Sequence, residues 1–162
     1  MPVSTKMNNA LNQQVSNEFN AAYKYRAMAF SFADMGLKIF AKRFEAQADE
    51  ERGHALKIAK YIQDVDAKVV LEAVAKPKND YKSAKEIVEA ALKSEITVTN
   101  QINDLVALAI KENDYATRNF LEWFVEEQVE EVASMRELLQ WVKMAGEANL
   151  FQLENRIAQS MS

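Results

Sequence analysis

Four stretches of this chain repeat apolar residues at helical spacing, and each line is broken by polar residues near its middle. In the first, Leu11, Val15, Ala22, Tyr25, Ala29 and Phe32 flank Glu18. In the second, Phe40, Phe44, Ala48, Ala55, Ile58, Ile62 and Val65 flank Glu51. Glu95 interrupts the third among Val88, Ala91, Val98, Ile102, Leu105 and Ala109, and Gln128 and Glu131 interrupt the fourth among Leu121, Phe124, Met135, Leu138 and Val142. His54, the only histidine, follows Glu51 by three residues, so the two project from one helical face. An apolar stripe recurring every three to four residues is the mark of an amphipathic helix. With three Gly and two Pro in 162 residues, little in the chain interrupts such helices.

Local signals set the ends. Ser4 or Thr5 can accept bonds from free amides at a helix start, and Asp34-Met35-Gly36 ends that helix, with Gly36 suited to a left-handed turn. The connection is short, so the second helix runs back antiparallel. Residues 66 to 82 break the pattern with Pro77, Asn79 and Asp80. Extended at about 3.3 Å per residue, this segment can return along a bundle, so the third helix starts at the same end as the second. Ser83-Ala84-Lys85-Glu86 reads as a capping box, Asn113-Asp114 as a short turn with a new N-cap, and Gly146 as a stop. The expected helices cover about 5–34, 38–65, 83–111, 114–144 and 147–159. The fold class is all-α: a four-helix bundle with one long crossover between the second and third helices and a short fifth helix. That last segment, with Leu150, Leu153, Ile157 and Met161 at helical spacing, packs on the bundle end or on other subunits.

The interruptions share a height. Glu18 lies 18 residues before Gly36 and Glu51 lies 15 after it, while Glu95 lies 18 before Asn113 and Gln128 lies 15 after it. Antiparallel hairpins with equal arms bring such residues level. The spacing therefore predicts that Glu18, Glu51, His54, Glu95, Gln128 and Glu131 converge in one layer of the core. Four buried carboxylates cannot all ionise without cations between them. A lone Glu-x-x-His is a weak signal, and a lone buried Glu is usually partnered by Lys or Arg. Here four lines are broken at matched offsets and no Lys or Arg falls on them. Oxygen-rich ligation with one imidazole suits iron or manganese better than a structural zinc site. Glu51 is placed to bridge two ions, with Glu18 and His54 completing one, and Glu95 and Glu131 the other.

Composition narrows the rest. There is no cysteine, so no disulfide and no thiolate metal site. The net charge of −4, with no basic stripe, argues against nucleic acid as a partner. No signal-peptide pattern and no apolar run long enough for a membrane span are visible, so the expected compartment is the cytoplasm.

The sequence resembles the ferritin-like di-iron proteins, and within them the non-haem bacterial ferritins. The resemblance runs from Met7 to the C-terminal helix. It rests on Glu18 with Tyr25, on Glu51-Arg52-Gly53-His54, on Glu95, and on the segment from Asn119 to Glu131. It implies one ferritin-like domain over residues 1–162 and a ferroxidase centre, in which two Fe(II) ions are oxidised by O2 or peroxide and the ferric product is deposited as mineral inside a hollow homo-oligomeric shell of 24 subunits. It implies Glu18, Glu51 and His54 as ligands of the first iron, and Glu51, Glu95 and Glu131 of the second, with Gln128 hydrogen-bonding beside them. A third iron nearby maps onto Glu50, Glu127, Glu130 and Glu131; a solvated acidic face is the plain reading of Glu50, Glu127 and Glu130. Tyr25 and Trp123 match aromatic residues near the centre, where a simple core role is equally open.

Departures from relatives refine the expectation. Bacterioferritins, which hold haem at the dimer interface, carry Met directly after the bridging Glu and a second Glu-x-x-His. This chain has Arg52 and a Gln128-x-x-Glu131 pattern, so no haem is expected. Rubrerythrins add a cysteine-rich iron domain. Acids of the three-fold iron channel in animal ferritins are replaced here by Arg118 and Leu121. Gly53 inside the second helix costs about 1 kcal/mol against Ala. Two other functions fit the same bundle: a di-iron or di-manganese oxidase or catalase that stores nothing, and a helical scaffold whose buried acids are protonated or paired.

Overall fold

The computed structural model describes residues 3–161. Five α-helices follow in order: α1 Thr5–Asp34, α2 Lys38–Asp64, α3 Ala84–Lys111, α4 Tyr115–Ala145 and α5 Leu150–Ser160. A 3-10 turn, Glu147–Asn149, precedes α5, so the last helical stretch begins as a tighter turn and becomes α-helical only at Leu150. No helix among the described residues is long and apolar enough to cross a membrane.

Each start has a local cause. The Ser4 hydroxyl accepts the Met7 amide at 2.9 Å, and the Asp114 carboxylate accepts the Thr117 amide at 3.0 Å and its hydroxyl at 2.6 Å. Ser83 accepts the Glu86 amide at 3.1 Å, as a capping box requires, but the Glu86 carboxylate reaches back to the Lys82 amide rather than to that of Ser83. At α2 the capping residue is Leu37, which has no side-chain acceptor. The missing acceptor comes from α5, where the buried Glu154 carboxylate takes the Ile39 N–H. Gly36, at φ +78°, closes α1 with the Leu37 amide bonded back to Phe32 at 3.0 Å.

Helix α1 packs along α2 and α3 along α4, and the two hairpins meet through α1 and α3. The crossover, residues 65 to 83, has no helix or strand and is strung along α1. The buried Asn12 side chain donates to the Lys68 carbonyl at 2.9 Å and accepts the Val70 amide at 2.7 Å. Asn20 accepts the Ala75 amide at 2.8 Å, and the Ser31 hydroxyl donates to the Asn79 carbonyl at 3.3 Å. These contacts run from the beginning of α1 to its end, so the chain is returned to the end where α3 must start.

The apolar core forms two clusters. One contains Phe32, Phe40, Phe44, Ile87, Met135 and Leu138, and is closed by Leu150 and Ile157 of α5. The other contains Met7, Leu11, Ile58, Ile62, Ile102, Leu105 and Phe124. Between them lies the layer of polar side chains.

Candidate metal centre

All six residues expected in that layer are buried and adjacent: Glu18, Glu51, His54, Glu95, Gln128 and Glu131. They come from four helices, and each takes the place of a core residue on its stripe. Two sets of three have ligand atoms within 4.8 Å of one another, Glu18–Glu51–His54 and Glu51–Glu95–Glu131. Glu51 belongs to both. His54 Nδ1 lies 3.3 Å from Glu51 Oε2 and 3.9 Å from Glu18 Oε2.

The carboxylates are held by neighbours that carry no charge. Gln128 Nε2 donates to Glu95 Oε2 and to the Glu95 carbonyl, both at 3.2 Å, and to Thr99 Oγ1 at 3.1 Å. The Tyr25 hydroxyl donates to Glu95 Oε1 at 2.5 Å. Two further partners lie off the interrupted apolar lines. Gln47 Nε2 donates to both Glu51 Oε1 and Glu131 Oε2 at 2.9 Å, tying α2 to α4 across the layer. Gln14 Nε2 donates to Glu18 Oε1 at 3.2 Å. Gln14 and Gln47 each lie four residues before the Glu they bind on their own helix, and that spacing is the signal that could have found them.

The electrostatics are those of an anionic site closed off from water. Burial, reinforced by the charges of neighbouring carboxylates, pushes Glu131 up to about 10 and Glu95 up to about 7. Burial and the charge of Glu51 raise Glu18 well above the carboxylate range, and burial with Glu95 raises Tyr25. Glu51 goes the other way: burial opposes its ionisation, but hydrogen bonds involving His54, Glu18 and Gln47 outweigh it. For His54, burial favours the neutral ring, yet Glu51 raises it. Without cations the layer therefore favours charge on Glu51 and disfavours it on Glu18, Glu95 and Glu131. Glu18 Oε2 is fully buried and no donor among the described residues reaches it, so only a proton shared with Glu51 or a cation can satisfy it. A cation beside it would satisfy that atom and replace the protons, so the donor set fits metal ions.

The residues expected around a third ion are only partly assembled. Glu127 groups with His54 and Glu131 within 4.8 Å, and His54 Nε2 lies 3.9 Å from Glu127 Oε1. Glu50 and Glu130 are exposed and belong to none of these groups. They line the same groove of about 480 Å³ as Glu127, Glu131 and Glu137, on the α2–α4 side. Trp123 meets His54 edge-on, 5.5 Å between ring centres, and its face is covered by Lys57 Nζ at 3.3 Å. Arg52 is exposed and lines a depression with Phe19, Tyr23 and Val74.

A four-helix bundle with a carboxylate-and-imidazole layer between its helices is the architecture of the carboxylate metal bundles. The chain belongs to the ferritin family: the family model described as a ferritin-like domain matches residues 8–145. Ferritin BfrB of Mycobacterium tuberculosis (Erdman) is 40% identical over 157 residues, covering 97% of this chain and 86% of that protein. In strain H37Rv the relative with the same identity is named Bacterioferritin BfrB. The bacterial non-heme ferritin of Staphylococcus aureus (MRSA252) is 38% identical over 145 residues, covering 90% of this chain and 87% of that one. Among solved structures, the novel open pore ferritin of the hyperthermophilic archaeon Archaeoglobus fulgidus superposes with a TM-score of 0.93 at 37% identity, over 96% of this chain and 97% of that one.

Proposed function

We propose that this chain is an iron-storage ferritin whose carboxylate layer is a ferroxidase centre for Fe(II). The observation that carries this reading is Glu18 Oε2, buried beside Glu51 and His54 with no donor among the described residues reaching it. Iron is the substrate. One Fe(II) enters between Glu18, Glu51 and His54, the other between Glu51, Glu95 and Glu131, with Glu51 bridging. Binding competes with protons at Glu18, Glu95 and Glu131, whose charged forms burial disfavours. Gln47 keeps Glu51 and Glu131 facing each other, and Tyr25 and Gln128 fix Glu95. O2 accepts one electron from each of the two ions, and the negative layer stabilises the extra positive charge of Fe(III). Carboxylate ligation without thiolates lets the ferric product leave. The acidic groove with Glu50, Glu127, Glu130 and Glu131 receives it or holds a third ion.

Assembly into a 24-subunit shell in the cytoplasm completes the reading. The family supports a shell, and so do large apolar side chains left outside: Phe30, Leu71 and Phe151 are 66%, 69% and 75% exposed on the isolated chain. The Arg52 position and Gln128-x-x-Glu131 support a haem-free protein, although one relative carries the name bacterioferritin.

Aerobic addition of Fe(II) far above three per chain, with particle size and retained iron measured together, tests storage. A large particle retaining much more than three irons per chain is expected. A small oligomer that keeps only two ions per chain would overturn storage in favour of an oxidase or catalase. Glu51→Ala removes a ligand from both sites, so the fast phase of Fe(II) oxidation is expected to fall by about two orders of magnitude or more, beyond the tenfold to hundredfold typical of residues that only support a ligand.

A further inference from the structure

We propose that the groove between α1, α3 and the crossover binds a small oxyanion carrying two or more negative charges. It has a volume of about 510 Å³ and lies on the opposite side of the bundle from the acidic groove. Four lysines line it, Lys24, Lys76, Lys78 and Lys93, and no Asp or Glu does, in a chain with 24 acids. Lys78 is already used: it pairs with Glu86 at 2.5 Å and lies against the Tyr81 ring. Lys24, Lys76 and Lys93 form no ion pair among the described residues. Like charges around a concave wall add their potentials, and an anion entering there meets the sum.

The uncharged groups in the groove also present donors. The Asn20 carbonyl oxygen is occupied by the Ala75 amide at 2.8 Å, which leaves its NH2 group free of any described partner. The Gln101 carbonyl oxygen faces Gln14 Nε2 at 3.5 Å, which leaves the Gln101 NH2 group free in the same way. Unpaired lysines and two unspent amide NH2 groups with no carboxylate suit an oxyanion and exclude a metal cation. The wall formed by the crossover is held in place by the Asn20–Ala75 and Ser31–Asn79 bonds. The volume exceeds one phosphate and admits a diphosphate or a tricarboxylate. Asn17 and Ser94, which also line the groove, are chain neighbours of Glu18 and Glu95, so the site lies directly behind the carboxylate layer.

The proposal does not depend on iron chemistry. Its test is calorimetric titration of the whole metal-free protein with inorganic phosphate, pyrophosphate and citrate in separate arms at low ionic strength. One saturable site per chain with a Kd below about 1 mM is expected. Lys24→Gln with Lys93→Gln should weaken it roughly tenfold or more, while Lys60→Gln with Lys85→Gln, an equal charge change elsewhere, should leave it unchanged. Glu51→Ala should also leave it unchanged, which separates this site from the metal centre. Tighter pyrophosphate assigns a phosphorylated ligand, tighter citrate a polycarboxylate, and either supports the proposal. It is overturned if no probe binds by about 10 mM, if the two lysine pairs weaken binding equally, or if Glu51→Ala abolishes it.

Discussion

The carboxylate layer and the apolar cluster beside it are buried to the same degree by the same helices, yet they hold the bundle together in opposite ways. Around Phe32, rings of Phe40 and Phe44 stand 4.8 Å away, one stacked and one edge-on, and every contact is favourable as soon as it forms. Around Glu51, the same depth removes water from four acids and leaves one carboxylate oxygen with no donor among the described residues. The first region is stable on its own. The second is tolerated because apolar clusters flank it on both sides, and a positive charge among the acids would make it favourable. A folded bundle that is locally unsatisfied can take up a cation without first having to fold.

This contrast can be broken at several points. Phe32→Ala removes a ring from the cluster and should cost about 3–5 kcal/mol in urea unfolding of the metal-free protein. Glu131→Gln should do the reverse, stabilising the metal-free protein by about 1–4 kcal/mol at neutral pH, because a neutral amide replaces an acid that burial disfavours; an equal loss would show that the layer is an ordinary polar network.

The pH dependence follows from the same residues. Glu131 and Glu95 are raised to about 10 and about 7, so the folded state holds more protons than the unfolded chain. Their contribution is full below about 4.3, the ordinary Glu value, and is lost as pH rises through the raised values. Glu18 and His54 are raised and act with the same sign, while Glu51 is lowered and acts oppositely. The metal-free protein should therefore lose stability from pH 5 to 9. Saturating Zn(II) should flatten that slope, as measured by thermal unfolding across the range.

Gln47→Leu should leave the fold nearly intact but weaken anaerobic Fe(II) binding about tenfold to hundredfold, since Glu51 and Glu131 lose their common donor. The smallest effect belongs to Gly53. A Cβ there meets nothing within 4 Å, so Gly53→Ala should stabilise the chain by about 1 kcal/mol by calorimetry. Nothing in the structure explains why this position is glycine.

Much of the site was legible because it rests on helix periodicity and hairpin arm length, both local quantities. Glu18, Glu51, Glu95, Gln128 and Glu131 replace core residues on otherwise apolar lines, so their level could be counted from the turns. The hydrogen-bond partners were not legible in the same way. Gln47 lies among many polar residues of α2, and only the approach of α4 gives its amide a second carboxylate. Glu154 reads as one surface acid among many until α5 folds back and places it at the uncapped start of α2.

The chain by itself determines the helices, the crossover and the height at which acids meet, because backbone hydrogen bonding and apolar spacing are set within a few residues. Tertiary structure decides which carboxylate stays ionised, since that depends on how much water four helices exclude and which amides they bring near. It also decides that lysines of α1, α3 and the crossover share one groove while the acids of α2 and α4 share another. Charge in a sequence has no side until packing supplies one.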